Sequence, residues 1–465
     1  MHNFLILIAP GKTTLVSTMR SIYGRKTDKL KALFTGDRTQ GIEVQAIKKD
    51  GIRVSVWDMA GQQQFHAFHD CMFPDIGTSS YQFPSMFMFV WSPMDSQSNK
   101  RGERKKETDF IASFRYWLKF LASKSPQSII PLKVILVFTR ADQMKSVSSS
   151  LSRSIDSLRC EFKGVIDIVN HVFDVDARKQ DSVRSLLDCI FNIAKDMLQG
   201  IQLYSIYTQV GEHLSNHLKN RNERIITWNK LKEICYPFHL YSEAKLKAIT
   251  LSLNECGNII YINRVDHIVL DPNWFCKEIM GSLIGFSKPK ASKDTIVFYS
   301  GFPSRDFIER RLESITGSKG KGSFLVDLMQ AMHLCCKVAT NHGISNSSVD
   351  RIFIPTLLTD ESGIEQLQWI SSTCTDNVDD DYNDIFQHMG KRLQCEDQNL
   401  TFLTPELFPR IQVLFSDAFK LVEDNNSEIT LGKDFIYICF PDREIIIVFC
   451  KVKSEHVIDV LIQVD

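Results

Sequence analysis

The chain has 465 residues, of which 43% are hydrophobic, so it is long enough for two or three domains with sizeable cores. Its 55 basic and 55 acidic residues cancel, which argues against a general nucleic-acid or membrane-surface binder. Twelve cysteines are scattered without a Cys-x-x-Cys pair, and no signal-peptide pattern precedes them. They predict reduced thiols in a cytoplasmic protein, with a peripheral position at a membrane as the alternative.

The first motif is a Gly-Lys-Thr-Thr sequence that opens a helical pattern of apolar residues. A lysine there contacts the β- and γ-phosphates of a nucleotide, a hydroxyl ligates magnesium, and the helix N-terminus favours anions. These residues are Gly11, Lys12, Thr13 and Thr14. They form the second half of a phosphate-binding loop.

The first half of that loop departs from the pattern. A full loop has its first glycine where this chain has Ile6, and Pro10 has no N–H to donate. Because only five residues precede Ile6, the usual strand before the loop is predicted to be missing: either residues 4–9 replace it without a proper loop, or the true N-terminus lies elsewhere. Either way, the loop that should cradle the phosphates is predicted to be incomplete.

Two alternating segments, residues 42–47 and 52–57, predict a hairpin with a turn at Asp50-Gly51. Asp58 and Gly61 then form an Asp-x-x-Gly motif, whose carboxylate reaches magnesium and whose glycine N–H approaches a γ-phosphate. Gln62 is predicted to orient the attacking water, and Thr39 to offer its hydroxyl to the magnesium. His66 and His69 have metal-like spacing, but nothing nearby completes a metal site, so a contact beside Gln62 is favoured for His66.

Continuous apolar runs at residues 86–91 and 133–138 predict buried parallel strands. The second run ends in Thr139-Arg140-Ala141-Asp142. The Asp142 carboxylate can accept both N1–H and N2–H₂ of guanine, a pair that adenine does not offer. A last strand at residues 171–173 leads to a second base-contacting loop at Ala177. Residues 146–154 are predicted to be a serine-rich loop, and residues 183–198 a closing helix.

These motifs, in this order, resemble the Ras-like Roc domain of Roco proteins, and the rest of the chain resembles the COR region that follows it. COR-like stretches lie at residues 258–261, 269–275 and 352–355, and residues 392–395, 401–405 and 408–410 are similar to the plant type in particular. The resemblance covers nearly the whole chain. Because Roco proteins of this type carry leucine-rich repeats before Roc, it also implies that the chain is N-terminally incomplete.

The resemblance implies an α/β Ras-like P-loop GTPase domain with a mixed, mostly parallel sheet, followed by an α+β COR region. Its expected domains are Roc at 1–200, COR-A at 201–300 and COR-B at 301–465. Helical stretches at 210–218, 228–234 and 243–255 with a strand pair within 258–270 describe a winged helix in COR-A. DNA binding by it is a remote alternative. Residues 285–325 are expected to be a linker, and an α+β pattern with strands at 435–440 and 444–452 follows.

The leading functional hypothesis is a GTP-binding and GTP-hydrolysing switch that uses GTP/GDP and Mg²⁺. Its COR region would form a homodimer and bind protein partners, within plant developmental signalling. The alternative is a nucleotide-free scaffold with a defective phosphate loop. No kinase motif follows the COR-like region. The predicted nucleotide and magnesium residues are Gly11, Lys12, Thr13, Thr14, Thr39, Asp58, Gly61, Thr139, Arg140, Asp142 and Ala177, with Gln62 as the catalytic residue.

Overall fold

The computed structural model describes residues 2–8, 12–23, 42–59, 85–94, 104–125, 131–140, 149–199, 205–281, 301–317, 319–338, 350–358, 387–419, 428–443, 445–452 and 456–464. The described residues up to 281 belong to one unit, and those from 301 onward belong to a second. Among the described residues, no helix has the length and apolar character needed to cross a membrane.

A six-stranded sheet organises the N-terminal part of the first unit, with the order β2-β3-β1-β4-β5-β6. Its strands are β1 (His2–Ile8), β2 (Ile42–Lys49), β3 (Ile52–Met59), β4 (Ser85–Trp91), β5 (Leu132–Thr139) and β6 (Ile166–Val175). Only β2 runs antiparallel to its neighbour, through the predicted hairpin, and Asp50 and Gly51 take φ of 49° and 76° in its turn. The mixed, mostly parallel sheet of the predicted fold class is confirmed.

Helices cover both faces of this sheet. They are α1 (Lys12–Tyr23), α2 (Glu107–Lys124), α3 (Ser149–Glu161) and α4 (Gln180–Met197). On one face, α1 and α4 bury aliphatic residues against the strands, among them Leu15, Met19, Val56 and Leu187. On the other face, Phe110 of α2 packs edge-on against the Phe89 ring, and Phe114 packs against it at a tilt. Because β4 and β5 are buried from both sides, they read as continuous apolar runs.

One expectation about this sheet is confirmed and another needs correction. Of the alternatives for the strand before the phosphate loop, the structure has the one in which residues 4–9 replace it, as β1, which pairs with β3 on one side and β4 on the other. The serine-rich segment at 146–154 is not a loop throughout, because α3 begins at Ser149. Leu151, Ile155 and Leu158 recur at helical spacing and are buried. That apolar periodicity outweighs the weak helix preference of serine.

A winged-helix module completes the first unit. Its elements are α5 (Ser205–Arg221), β7 (Ile225–Thr227), α6 (Trp228–Cys235), a 3₁₀ turn (Tyr236–Phe238), α7 (Glu243–Glu255), β8 (Ile260–Tyr261) and β9 (His267–Val269). The strand order is β7-β9-β8. A short helix, α8 (Pro272–Trp274), continues into a π-helix at Phe275–Met280. Three helices and a small antiparallel sheet confirm the winged-helix-like part of the predicted fold.

The second unit begins with α9 (Arg305–Thr316) and α10 (Lys321–Ala331), so the expected linker at 285–325 is wrong from residue 305 onward. The Ser304 hydroxyl accepts a hydrogen bond from the Phe307 N–H, and Gly317 ends the helix with a φ of 64°. Ile308 and Leu312 lie four residues apart and are buried. The polar composition of this stretch concealed an amphipathic helix.

The remaining elements form an α+β layer with a five-stranded sheet of order β12-β16-β15-β14-β13, paired antiparallel throughout. One face of this sheet packs against α11. The elements are β10 (Cys336–Lys337), β11 (Ile352–Phe353), a 3₁₀ turn (Pro355–Leu357), β12 (Gln387–Leu393), α11 (Leu407–Phe419), β13 (Glu428–Gly432), β14 (Phe435–Phe440), a 3₁₀ turn (Pro441–Arg443), β15 (Ile445–Val452) and β16 (Val457–Val464).

Candidate functional site

The carboxyl ends of five parallel strands meet at one edge of the first sheet. Leu7 near the end of β1 pairs with Asp58 near the end of β3, and Thr139 at the end of β5 pairs with Val175 at the end of β6. Helix α1 begins at Lys12, shortly after β1 ends. In open α/β sheets, ligands bind outside this edge. The structure therefore gathers four of the predicted motifs along one line.

The phosphate side of this edge carries the first turn of α1. Lys12 and Thr13 are its first two residues, and Thr14 is exposed. The strand ahead of it is longer than a phosphate loop allows. Ile6, at the position of the first loop glycine, pairs with Trp57 of β3 and Phe87 of β4 as a central-strand residue. Only residues 9–11 remain between strand and helix.

Asp58 is the predicted magnesium residue that the structure describes best. It pairs with Glu43 of β2 and Leu7 of β1, and only 2% of its surface is exposed. Carboxylate and hydroxyl oxygens are the hard donors that Mg²⁺ prefers, so Asp58 and the threonine hydroxyls fit that ion chemically. The other predicted residues of this side lie outside the described residues: Gly11, Thr39, Gly61 and Gln62, together with Pro10, His66 and His69.

The base side of the edge begins at Thr139. Its Oγ1 donates a hydrogen bond of 3.1 Å to the Trp91 carbonyl oxygen, which joins the end of β5 to the end of β4. Arg140 follows with an exposed side chain and a φ of 61°, which is uncommon for a residue other than glycine. This backbone geometry turns the chain out of the sheet just where the predicted base selector follows. Asp142 itself lies outside the described residues.

The loop after β6 is held by two contacts that sequence reasoning missed. Thr18 of α1 donates its hydroxyl to the Ala177 carbonyl oxygen at 2.5 Å. The buried Asp176 carboxylate accepts hydrogen bonds from the backbone N–H and the Nε of Arg178, each at 3.1 Å. An aspartate bonding to the backbone two residues on is a known turn signal and could have been found. Thr18 carries no such signal, because it lies 159 residues from Ala177.

Two opposing effects act on the Asp176 carboxyl. Burial raises its pKa, and the hydrogen bonds and positive charge from Arg178, with Lys179 nearby, lower it. The net result is a pKa below the ordinary value. The charged Asp176 carboxylate therefore holds the loop that contains Ala177 in place.

Basic residues lie beside the same edge, after β4. The Lys105 N–H donates to the Pro93 carbonyl oxygen at 2.7 Å, and its ammonium group lies 4.6 Å from the centre of the Trp91 ring. Arg104 pairs with Met94 in the same short ladder. The Lys105 ammonium group thus lies on the ring of Trp91, the residue whose carbonyl oxygen accepts the Thr139 hydrogen bond.

No protein-family model matches the chain. The chain is 28% identical over 426 residues to Protein TORNADO 1 of Arabidopsis thaliana, an alignment that covers 86% of this chain and 29% of that protein. It is 21% identical over 256 residues to a probable serine/threonine-protein kinase, pats1, of Dictyostelium discoideum, covering 54% of this chain and 7% of that protein. The chain thus spans less than a third of the length of either relative.

Two solved structures are also similar. One is the Methanosarcina barkeri Roco2 RocCORdC structure bound to GDP, with 17% identity, a TM-score of 0.46, and coverage of 77% of this chain and 95% of that one. The other is the Trypanosoma brucei Arl6 BBS3 small GTPase with GppNp, with 14% identity, a TM-score of 0.31, and coverage of 42% and 99%.

Proposed function

We propose that this chain, a Roco-type protein similar to TORNADO 1, binds a guanine nucleotide with magnesium at the carboxyl edge of its first sheet. The observation that supports this most is the convergence of α1, Asp58, Thr139 and Ala177 along that edge. We further propose a cytoplasmic protein, for which the ten free cysteines among the described residues are support.

On the phosphate side, the proposed roles follow from charge and oxygen donors. Lys12 neutralises phosphate charge, while Thr13, Thr39 and Asp58 hold the magnesium through oxygen ligands or its water shell. When bound, the ion shields the phosphate oxygens from the buried Asp58 carboxylate. That shielding matters, because two anions sharing a buried site repel each other.

On the base side, Asp142 selects guanine and Arg140 and Ala177 line the pocket. The hydrogen bond from Thr139 to Trp91 supports this role, because it fixes the point at which the base-binding loop leaves the sheet. The Thr18 hydroxyl acts in the same way on the Ala177 carbonyl. Two loops that are each held at one point by the fold pre-organise the donors and acceptors that distinguish guanine from adenine.

The switch itself would use the two segments that flank the β2–β3 hairpin. GTP with magnesium orders the residues around Thr39 and Gly61, and hydrolysis, with Gln62 orienting the water, releases them. In this proposal the COR region, made of COR-A at 201–300 and COR-B at 301–465, couples that state to dimerisation and partner binding. A role in plant developmental signalling rests on the similarity to TORNADO 1.

Homodimerisation through COR-B is supported by the second face of its sheet. The face packed on α11 carries Ile436 and Ile438, so the alternating residues point to the opposite face. There Tyr437, Val448 and Leu461 pair directly across neighbouring strands. Tyr437 and Leu461 on this face stay half-buried within the chain, beside the Arg392–Asp459 ion pair, and are the apolar surface that a second copy would bury. A second copy of the chain is the proposed cover.

Light scattering on the full chain tests the dimer. Leu461→Lys places a charge on the second face and should shift the protein to monomer, whereas the matched change Leu414→Lys, at a side chain 48% exposed on α11, should not. The fragment of residues 200–465 should self-associate. A monomeric 200–465 fragment at tens of micromolar, about the weak end for such contacts, would count against the proposal.

One observation favours a second candidate, a nucleotide-free scaffold. β1 continues through Ile6 to Ile8, so strand pairing occupies positions that a phosphate-binding loop uses for its glycine-rich turn. The backbone N–H groups of a strand point to its neighbours and cannot converge on a phosphate. We therefore expect guanine-nucleotide affinity in the micromolar range or weaker, about a thousandfold below a complete loop.

A titration with a fluorescent GTP analogue, with and without magnesium, separates the two candidates. Guanine-specific binding that GDP competes and ATP does not, and that Lys12→Ala abolishes, is expected for the switch. Lys195→Ala, at an exposed lysine of α4, serves as the matched charge control. Absence of binding at millimolar nucleotide, without any nucleotide-dependent rise in melting temperature, would leave the scaffold as the function.

A further inference from the structure

The side chain of Asn273 makes two hydrogen bonds to the backbone of a single residue far away in the chain. Its Oδ1 accepts from the Val44 N–H at 2.5 Å, and its Nδ2 donates to the Val44 carbonyl oxygen at 2.8 Å. Val44 lies in β2, and Asn273 lies in α8 of the winged-helix module. An asparagine amide has both a donor and an acceptor, so it can complete both backbone groups at once.

Among the described residues, β2 is the outermost strand of the six-stranded sheet, and no described strand pairs with its other side. In an antiparallel pair, alternate residues point their N–H and C=O groups away from the partner strand. Val44 is one of these outward residues, and Ala46 is the next in the series. Such an edge is a ready template for a further strand from another polypeptide. Asn273 occupies the place that a residue of that strand would take.

The sequence around Asn273 holds it rigidly in this position. Asp271 caps the short helix by accepting a hydrogen bond from the Trp274 N–H at 3.1 Å, and Pro272 fixes φ at the first helical position. The Trp274 ring is buried, with the Arg224 guanidinium 5.2 Å from its centre. Because both neighbours are anchored, little backbone entropy remains to be lost when Asn273 bonds to β2.

A second contact joins the same two parts of the chain. Gly257, which ends α7 with a φ of 63°, lies against the Trp57 ring of β3, and an added Cβ would come within 2.2 Å of it. Trp57 is the residue that pairs with Val44 in the hairpin. Lys48 also forms a 3.5 Å ion pair with Glu212 of α5, though both side chains are exposed and the pair adds little. The module therefore covers both the edge and one face of the hairpin.

We propose that the α8 segment of the winged-helix module is a built-in occupant of the β2 edge, with Asn273 as its anchor. It closes this edge at Val44 to strand addition by another polypeptide, and it makes the β2–β3 hairpin and the module move as one body. A partner that recognises the Ras-like domain by adding a strand to β2 must first displace Asn273. The proposal does not depend on nucleotide binding.

Amide hydrogen exchange with single-residue resolution on the full, nucleotide-free chain tests the proposal first without any mutation. The backbone N–H groups of Val44 and of the exposed Ala46 both point outward from the edge, and the Asn273 side chain accepts a hydrogen bond from that of Val44. We expect the Val44 amide to be protected about tenfold more than the Ala46 amide, each relative to its intrinsic rate, as a hydrogen bond of about 1.4 kcal/mol implies. Equal protection would overturn the proposal.

Variants then identify the anchor. Asn273→Ala should raise the exchange rate of Val44 about tenfold and leave Gln45 unchanged, because Gln45 points inward to its partner Val56. Asn273→Asp keeps an acceptor for the Val44 N–H and loses the donor, so intermediate protection is expected. Asn229→Ala, at an exposed asparagine of α6, is the matched control and should change nothing.

Gly257→Ala supplies an independent route to the same readout, because its methyl group would push against Trp57 while Asn273 remains intact. It should also raise exchange at Val44. If Asn273→Ala also raises the amide exchange rate of Gln45, the hairpin itself has opened. The comparison of Val44 with Ala46 in the unmodified chain then decides whether Asn273 protects Val44. Unchanged Val44 protection in both Asn273→Ala and Gly257→Ala would overturn the assignment of Asn273 as the anchor.

Discussion

The two halves of the proposed nucleotide site differ in how far contacts within the protein support their loops. On the base side, Thr139 and Thr18 each place a hydroxyl on a backbone carbonyl, and Arg140 turns the chain outward with a positive φ. On the phosphate side, β1 continues as a paired strand to Ile8, where a nucleotide-binding loop would already have turned. The same sheet edge thus combines a supported base loop with a shortened phosphate loop.

This difference shows that the parts of such a site can vary separately. The base loop is stabilised by contacts within the protein, which are worth keeping for folding alone, since each bonds a buried or half-buried polar group. The phosphate loop contributes only when a phosphate is present, because its converging N–H groups are otherwise unsatisfied. A chain that binds nucleotide weakly would therefore lose the phosphate loop before the base loop.

The largest expected effect comes from rebuilding the phosphate side. Replacing residues 6–10 with a glycine-rich loop, and adding a new strand ahead of it, should raise affinity for a fluorescent GTP analogue by a factor on the order of 10³. The gain reflects about three recovered charge-assisted hydrogen bonds. The same rebuilt chain with Lys12→Ala is the control and should bind poorly. Tight magnesium-dependent binding by the unmodified chain would show that the phosphate side already functions without a glycine-rich loop.

Asp142→Asn tests the base side directly in the rebuilt chain. The amide loses two charge-assisted bonds to the guanine edge, so affinity for GTP should fall about tenfold to a hundredfold, or about 1.5–3 kcal/mol. Asp181→Asn, at an exposed aspartate of α4, should have no effect on the titration. Equal competition by ATP and GTP before mutation would show that Asp142 does not select the base.

Thr139→Val tests whether the base loop is held by the fold itself. The change keeps the side-chain shape but leaves the Trp91 carbonyl without its donor at a buried position. We expect a loss of about 1–2 kcal/mol in the free energy of unfolding from urea denaturation. Thr139→Ser restores the hydroxyl and should recover most of it. A Thr139→Val protein as stable as wild type would mean that this hydrogen bond contributes nothing.

Asp176→Asn should give the smallest and most pH-dependent effect. The pKa of Asp176 lies below its ordinary value in the folded protein, so its charged form stabilises the fold above the unfolded pKa of about 3.9. That contribution, about 1 kcal/mol for a charge-assisted bond, is lost as pH falls through the lower folded pKa. Wild type and variant should therefore differ at pH 7 and converge in acid. A difference that stays constant with pH would contradict this.

The fold was largely predictable where apolar periodicity is strong. The runs that became β4 and β5, the hairpin turn at Asp50-Gly51 and the helices of the winged-helix module were all read from local patterns, and the structure confirms them. The errors at α3 and α9 share one cause. Composition rich in serine, lysine or glycine hid two short helices whose apolar residues, such as Leu151 and Ile308, are few but correctly spaced.

The order of the site motifs along the chain was predictable, but the hydrogen bonds that hold their loops were not. Lys12, Asp58 and Thr139 stand at strand ends or helix starts because their motifs are local. The bonds that hold these loops join residues more than a hundred positions apart, as Thr18 and Ala177 do. No local pattern encodes such a pair. The length of β1 was also missed, because strand pairing with β3 and β4 decides it.

The long separation between Val44 and Asn273 has a consequence for how the protein is made. The two residues lie 229 positions apart. At a synthesis rate of about 5–20 residues per second, the ribosome needs roughly 5–20 s to reach Asn273 after Val175, where the last strand of that sheet ends. During that interval a newly folded sheet would present an uncovered β2 edge to other nascent chains. The period of greatest aggregation risk for this protein therefore falls before its winged-helix module emerges.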